Sequence, residues 1–229
     1  MTQSLKIISS MATKQVLADL IALYQTSHAQ PNALESVGGV DAAKRVQAGE
    51  AVDVVVLASN AIEQLSSDGK LVAGSRVDLM RSGVAIAVRA GTARPAIATE
   101  ADVKSAVMAA ASISYSTGPS GVALAKLFER WGIAEELKSR IVTPPPGTPV
   151  ASLLADGKVA LGFQQLSEML GVQGIEVLGP LPPEIQIITT FSAGISSTCM
   201  QSEAAAALLR FMASPEAAQV KLRNGMESA

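Results

Sequence analysis

The chain has 229 residues, 48% of them apolar and only 3% aromatic, and its 18 basic and 20 acidic side chains leave a net charge of −2. That length lies between one large domain and two small ones, and the apolar share supports a packed core. Near-neutral charge and few aromatic rings exclude a general nucleic-acid binder, while one cysteine and one histidine exclude an internal disulfide, a thiolate metal cluster and a poly-histidine metal site.

In chain order, the β-branched run at residues 5–9 predicts a buried strand. Val16, Leu17, Leu20, Ile21 and Tyr24 then recur at helical spacing over residues 13–28, before Pro31. A strand at 33–37, a Gly38-Gly39 turn and a helix at 41–48 follow. Val-Asp-Val-Val-Val-Leu within 51–57 is the strongest strand in the sequence, and Ala58-Ser59-Asn60 opens a helix that ends near Asp68-Gly69. This β-α-β-α-β-α order predicts a parallel sheet with helices on both faces.

Residues 83–89 form the next predicted strand, and 99–111 a helix in which Thr99 and Asp102 approximate a capping box. A strand at 112–116, a turn at 117–121 and an amphipathic helix at 122–131 come next. A short strand at 141–143 runs into Pro144-Pro145-Pro146-Gly147. Beyond it lie a helix at 150–155, a strand at 159–163, a helix at 164–170, and strands at 176–178 and 185–191. Two helices, 202–213 and 215–224, end the chain, the second with Pro215 at its first position.

No repeat or flexible linker separates consecutive domains. Two α/β lobes fit the length if the chain crosses between them twice, near residues 81–84 and 189–194. One lobe is then discontinuous, residues 1–81 with 190–229, and the other is residues 82–189. The first residues lack the basic region, apolar stretch and cleavage site of a secretory signal, so the chain as written is expected to stay in the cytoplasm. A trimmed mature chain with an added Met would look the same and would be periplasmic. No run approaches the roughly 18 apolar residues of a membrane span, and no membrane insertion is expected.

Four times a strand runs into a small, polar turn that opens a helix: Ser9-Ser10-Met11-Ala12-Thr13, Val37-Gly38-Gly39-Val40-Asp41, Ala58-Ser59-Asn60 and Ser116-Thr117-Gly118-Pro119-Ser120-Gly121. In an open α/β sheet, ligands bind beyond the carboxyl ends of the strands, and helix starts present unpaired N–H groups that favour an anion. Each turn taken singly also fits an ordinary N-cap. No Gly-Lys-Ser/Thr follows the 116–121 loop at Walker-A spacing, which disfavours nucleotides.

These turns, with Val-Asp-Val-Val-Val-Leu-Ala-Ser and the stretch Asp156-Gly-Lys-Val-Ala-Leu-Gly-Phe-Gln-Gln165, resemble the molybdate-type periplasmic binding proteins over most of the chain. The resemblance implies a class II periplasmic-binding-protein fold. Each lobe would be a mostly parallel sheet flanked by helices, with two crossover strands as hinge and an anion held in the interlobe cleft. It implies no cofactor and no metal; an exported chain would have the membrane components of an ABC transporter as partners. Ser9 and Ser10 match the family's first-strand serine, and Ser59 falls at the end of the third strand. Gly38-Gly39 stands where the family places a glycine-serine pair, and Gln164 and Gln165 stand near its tyrosine. Both departures weaken molybdate as the ligand. Phe163-Gln-Gln-Leu-Ser-Glu168, Gly179-Pro-Leu-Pro-Pro183 and Phe191-Ser-Ala-Gly194 resemble the sub-branch that includes aconitate isomerase, an enzyme on the same scaffold.

The expected ligand-binding set is Ser9, Ser10, Met11, Gly38, Gly39, Ser59, Arg81, Thr117, Gly118, Ser120, Gly121, Gln164 and Gln165. Arg81, expected just before the first crossover strand, would either clamp a carboxylate or stand exposed at the surface. The glutamines would donate to ligand oxygens or face water at a helix start. His28 reads as a helix-end residue and Cys199 as a small buried hydrophobe. Asp41, Asp53 and Glu168 are the nearest carboxylates, and no spacing marks a general acid/base pair among them. The expectation is capture of a small anion, a di- or tricarboxylic acid before an oxyanion, with an isomerase acting on such an acid as the alternative.

Overall fold

Apolar runs of five or six residues, rich in Val and Ile, become the strands around which the chain folds. The computed structural model describes residues 3–145 and 147–229. Met1, Thr2 and Pro146, the last proline of the predicted triple-proline turn, lie outside the described residues. From the N-terminus the elements are β1 (Leu5–Ser10), α1 (Lys14–Gln25), β2 (Asn32–Val37), α2 (Gly39–Gln47), β3 (Val54–Ala58), α3 (Ser59–Ser67) and β4 (Val77–Arg89). Then come α4 (Glu100–Ala109), β5 (Ile113–Tyr115), α5 (Pro119–Arg130), α6 (Ala134–Leu137), α7 (Val150–Ala155), β6 (Leu161–Gln165) and α8 (Leu166–Met169). The chain ends with β7 (Ile175–Pro180), β8 (Ile188–Ile195), α9 (Ser202–Ala213), α10 (Ala218–Arg223) and β9 (Glu227–Ser228).

The chain divides into two compact units, Met1–Ser82 with Thr190–Ala229 and Gly83–Thr189. Both boundaries fall inside strands, β4 on the way out of the first unit and β8 on the way back. In the first unit β2, β1 and β3 run parallel, and β8 pairs antiparallel with β3. Alternate side chains fill two cores. Leu5, Ile7, Val54 and Val56 pack with α1, α9 and α10, while Ile8, Val55 and Leu57 pack with α2 and α3. Burial on both faces explains why these strands read as unbroken apolar runs. Lys221 of α10 is only 1% exposed and donates to the Leu79 carbonyl of β4 at 2.8 Å; burial holds its pKa below the usual lysine range.

In the second unit, β4 lies between β7 and β6, and β5 continues beyond β6. Only β5 and β6 are parallel, so this sheet departs from the mostly parallel arrangement expected of it. The reason is β4: it enters as a crossover strand, and the strands on both sides run against it. Val84, Ile86, Leu161 and Phe163 face α4 and α5, whereas Ala85 and Ala87 face α7.

Several predicted boundaries move. β4 begins at Val77, not at residue 83, so Arg81 lies inside the strand rather than before it. Its first half mixes exposed and buried positions, a weaker apolar signal than the run that follows. The helix predicted to reach His28 ends at Gln25. The strand at 141–143, beside the prolines, reduces to one bridge between Ile141 and Ile113. Instead of a strand at 185–191, Pro183–Ile185 forms a 3-10 turn and β8 starts at Ile188. α6 and β9 are additions.

The capping box forms as predicted: Asp102 N donates to Thr99 Oγ1 at 3.1 Å and Thr99 N to Asp102 Oδ2 at 3.0 Å. Thr99→Ala is expected to cost about 1 kcal/mol. Urea unfolding should show a lower midpoint with an unchanged slope.

Candidate functional site

In the first unit the three parallel strands end level. Ser10 pairs with Val37 and Ser9 with Val56, so β2, β1 and β3 reach the same edge together. Each then turns directly into a helix: β1 through a 3-10 turn at Met11–Thr13 into α1, β2 through Gly38 into α2, and β3 from Ala58 into α3. None of these starts has its N-cap side chain bonded to a helix N–H. Three sets of first-turn amides therefore gather at one sheet edge without a side-chain cap, with the Asp41 carboxylate in the first turn of α2.

The serines divide the work. Ser9 is fully buried; its Oγ lies 2.7 Å from Ser36 Oγ and donates to the Ser10 carbonyl at 3.2 Å, tying β1 to β2. Ser10 Oγ lies 3.5 Å from Thr13 Oγ1, which donates to the Ser10 carbonyl at 3.0 Å. A Cβ on Gly39 would sit 3.5 Å from Ser10 Cβ, so the Gly-Gly turn and the β1 serine are neighbours. Asp41 folds back over Gly38, where a Cβ would lie 3.3 Å from its Oδ2. Met11 and Ser59 are half-buried at the same strand ends. The structure thus brings Ser9, Ser10, Met11, Gly38, Gly39 and Ser59 to one edge of one sheet.

In the second unit, β5 ends at Tyr115 opposite Phe163, and Ser116–Gly118 leads into α5. The predicted turn is shorter than expected, because Ser120 and Gly121 already belong to the first turn of α5. Both are buried, whereas Thr117 is exposed. Ser116 Oγ lies 3.0 Å from Ser120 Oγ, and Gly118 starts the helix with no side-chain cap. A Cβ on Gly121 would lie 1.6 Å from the Ser116 carbonyl oxygen, so this close approach of loop to helix admits only glycine.

Gln164 and Gln165 were expected at a helix start. They are instead the last residues of β6, each 3% exposed, and strand alternation sends them to opposite faces. Gln165 Nε2 donates to Thr189 Oγ1 at 2.8 Å, and its Oε1 is buried without a hydrogen-bond partner among the described residues. Gln164 Oε1 accepts from Ala151 N, in the first turn of α7, at 3.1 Å. The same amide donates to the Glu168 carboxylate; burial nevertheless pushes the Glu168 carboxyl up to about 7. Thr189, Ala151 and Glu168 were not marked as partners by the sequence. Ending β6 at Gln165 would have exposed the pattern, since the two amides then fall on opposite sheet faces.

The other candidates lie elsewhere. Arg81 is exposed in β4, and its guanidinium donates to the Ser228 carbonyl of β9 at 3.1 Å. His28 lies beyond α1, stacked on Tyr24 with ring centroids 4.0 Å apart. Cys199 is half-buried, and burial raises its thiol pKa. Asp53 accepts from Lys6 N at 2.8 Å.

Two α/β units exchanging two strands, with helix starts gathered at strand ends, define a binding-protein fold. The chain belongs to the bacterial extracellular solute-binding protein family, whose model matches residues 5–227. It is 37% identical over 186 residues to an aconitate isomerase from Pseudomonas sp, covering 80% of this chain and 70% of that protein. Its fold matches the periplasmic molybdate-binding protein of Azotobacter vinelandii with a TM-score of 0.82 at 18% identity, over 97% of this chain and 98% of that one. The sulfate-binding protein of Mycobacterium tuberculosis matches with a TM-score of 0.77 at 14% identity, over 98% and 86% of the two chains. The resemblance to molybdate-type periplasmic binding proteins and the expected fold class are thereby borne out. No helix of the described residues is long and apolar enough to cross a membrane.

Gly121→Ala should destabilise the chain by about 3 kcal/mol, because backbone rather than a pliable side chain stands in the way. Gly118→Ala, with nothing within 4 Å of the added Cβ, should stay within about 0.5 kcal/mol. Paired denaturation curves of the two variants check the contrast.

Proposed function

We propose that the chain captures one small anion carrying two or three carboxylates, using the strand-end groups of its first unit. The uncapped helix starts beside Ser10 and Gly39 carry this reading, since a carboxylate accepts from several such N–H groups at once. Thr117, Gly118 and Ser120 at the α5 start, with Gln164 and Gln165, are the corresponding strand-end groups of the second unit. A polycarboxylate is preferred over molybdate because Gly39 brings no hydroxyl and because neutral amides end β6. Arg81 is left out of the set, because its guanidinium is held by β9. For an exported chain the partners would be the membrane components of an ABC transporter, and its place the periplasm.

A second reading is an isomerase that moves a proton within such an acid. The 37% identity to an aconitate isomerase favours it, as does a carboxyl beside Gln164 that changes charge near neutral pH.

Thermal unfolding with cis-aconitate, trans-aconitate, citrate, tricarballylate, molybdate and sulfate separates the anion classes. A ligand at a hundredfold its dissociation constant adds about 2.7 kcal/mol, a rise of about 5–10 °C for a chain of this size. Di- and tricarboxylates are expected to give it, and stabilisation by molybdate alone would defeat the organic-acid reading. Ser10→Ala should weaken the bound acid by about tenfold, from one lost hydrogen bond to a charged group. For the isomerase reading, NMR of cis- and trans-aconitate with the protein in deuterated water should show interconversion and deuterium uptake. Neither appearing removes that reading.

A further inference from the structure

Of the chain's three asparagines, Asn32 and Asn60 precede alanine, and Asn224 alone precedes glycine. An Asn-Gly step is chemically labile, because the glycine amide reaches the asparagine side chain with no Cβ in its way. Asn224 ends α10, and Gly225 takes the left-handed φ of 70° that closes the helix. Gly225 N donates to the Leu222 carbonyl and Met226 N to the Lys221 carbonyl, each at 3.0 Å, the paired bonds of a Schellman turn. Asn224 Nδ2 is held as well, donating to Asp19 Oδ2 of α1 and to the Val220 carbonyl, both at 2.9 Å. Asp19 Oδ1 accepts from Gln15 Nε2 at 2.8 Å, so two neutral amides meet this carboxylate.

The residues after Gly225 depend on that turn. Met226 is 1% exposed in the core that holds Leu79, Met80 and Val220. Beyond it, β9 pairs with Met80 and Arg81 of β4. All of these contacts lie within the first unit.

We propose that Asn224 is a self-modification site: when the α10 turn opens, Gly225 N displaces the Asn224 side-chain amide, and the carboxyl left at 224 keeps residues 225–229 from closing again. Gly225 N, its proton given to solvent, attacks Asn224 Cγ. The ring C–N bond forms, the bond to Nδ2 breaks, and ammonia leaves. Water then adds to one of the two ring carbonyls and opens the ring, as aspartate or as isoaspartate. The net change is one water in and one ammonia out, with nothing oxidised or reduced.

In the closed turn the attack is blocked twice, since Gly225 N is bonded to Leu222 and Asn224 Nδ2 to Asp19 and Val220. After the reaction an acceptor faces an acceptor: the new carboxylate has no hydrogen for Asp19 Oδ2, and the two charges repel. A negative charge at a helix C-terminus is unfavourable besides. Isoaspartate also lengthens the backbone at the turn and breaks its hydrogen-bond spacing. Neither step depends on what the strand-end groups bind.

The test ages the full chain in mildly alkaline buffer, native and in urea, and follows the amide-to-acid mass gain at 224 by peptide mass spectrometry. Native wild type should react at least about tenfold more slowly than unfolded wild type, and native Asp19→Ala about threefold or more faster than native wild type. Equal rates in native and unfolded wild type, or no acceleration by Asp19→Ala, overturn the proposal. Asn224→Asp should unfold about 4–8 °C below wild type and exchange the amides of residues 226–229 about tenfold faster. Adding Asp19→Asn, which returns a donor to the pair, should restore most of both losses. Stability equal to wild type in Asn224→Asp, or losses that Asp19→Asn leaves unchanged, overturn it too.

Discussion

The level ending of β2, β1 and β3 is the constraint on which the first unit depends. Parallel pairing sends all three chains off the sheet at one edge, and each must begin a helix there. Amides of first turns have no partner within their own helices, so such an edge collects donors whatever the residues are. What the residues decide is whether those donors stay available. Here the cap positions are Ser10, Thr13, Gly38 and Ala58, and none turns a side chain onto a helix N–H. The part-buried pair Ser9–Ser36 ties the β1–β2 register that brings the ends level. A one-residue slip would turn Ile7 and Ile8 to each other's cores and move Ser10 away from Gly39.

The second unit meets a related demand by other means. Its sheet is mostly antiparallel, so fewer helix starts gather at one edge, and α5 provides the long one. Close packing at Gly121 fixes how loop and helix meet, and the β6 glutamines add donors and acceptors of their own. Gln165 reaches β8 at Thr189, while Gln164 reaches α7 and Glu168. The polar end of a single strand thus serves two faces. A ligand group exchanging with either amide would alter a contact to another element of the unit.

Much of this was legible in local sequence, and the misses share a cause. β1 and β3 were readable because burial on both faces leaves an unbroken apolar run, and the α4 capping box because it involves residues three apart. The first half of β4 was not, since Asp78 and Arg81 are exposed and, with Ser82, interrupt the apolar run. Polar residues at the end of β6 look like a helix start until the pairing of Gln165 with Val84 extends the strand. The strand-end serines and glycines were found because a turn is local chemistry. Glu168 stayed an unmarked carboxylate because no spacing in the sequence signals the packing of α8 on β6 and β7. Arg81 was placed before a strand that in fact encloses it, and its partner Ser228 is 147 residues away.

Arg81's engagement bears on how an anion could be held at all. A di- or tricarboxylate brings two or three negative charges, and among the proposed ligand groups every donor is neutral. Helix starts offer about half a positive charge each, and hydroxyls and amides contribute oriented dipoles. Such a set suits an ion whose charge is spread over several oxygens. It tolerates poorly a further negative charge fixed beside it, and Asp41 and Glu168 are both candidates for one. Asp41 is exposed, so solvent screens it. Glu168 is half-buried, and burial raises its carboxyl pKa to about 7. A site whose donors are all neutral therefore depends on keeping fixed negative charge away from its strand ends.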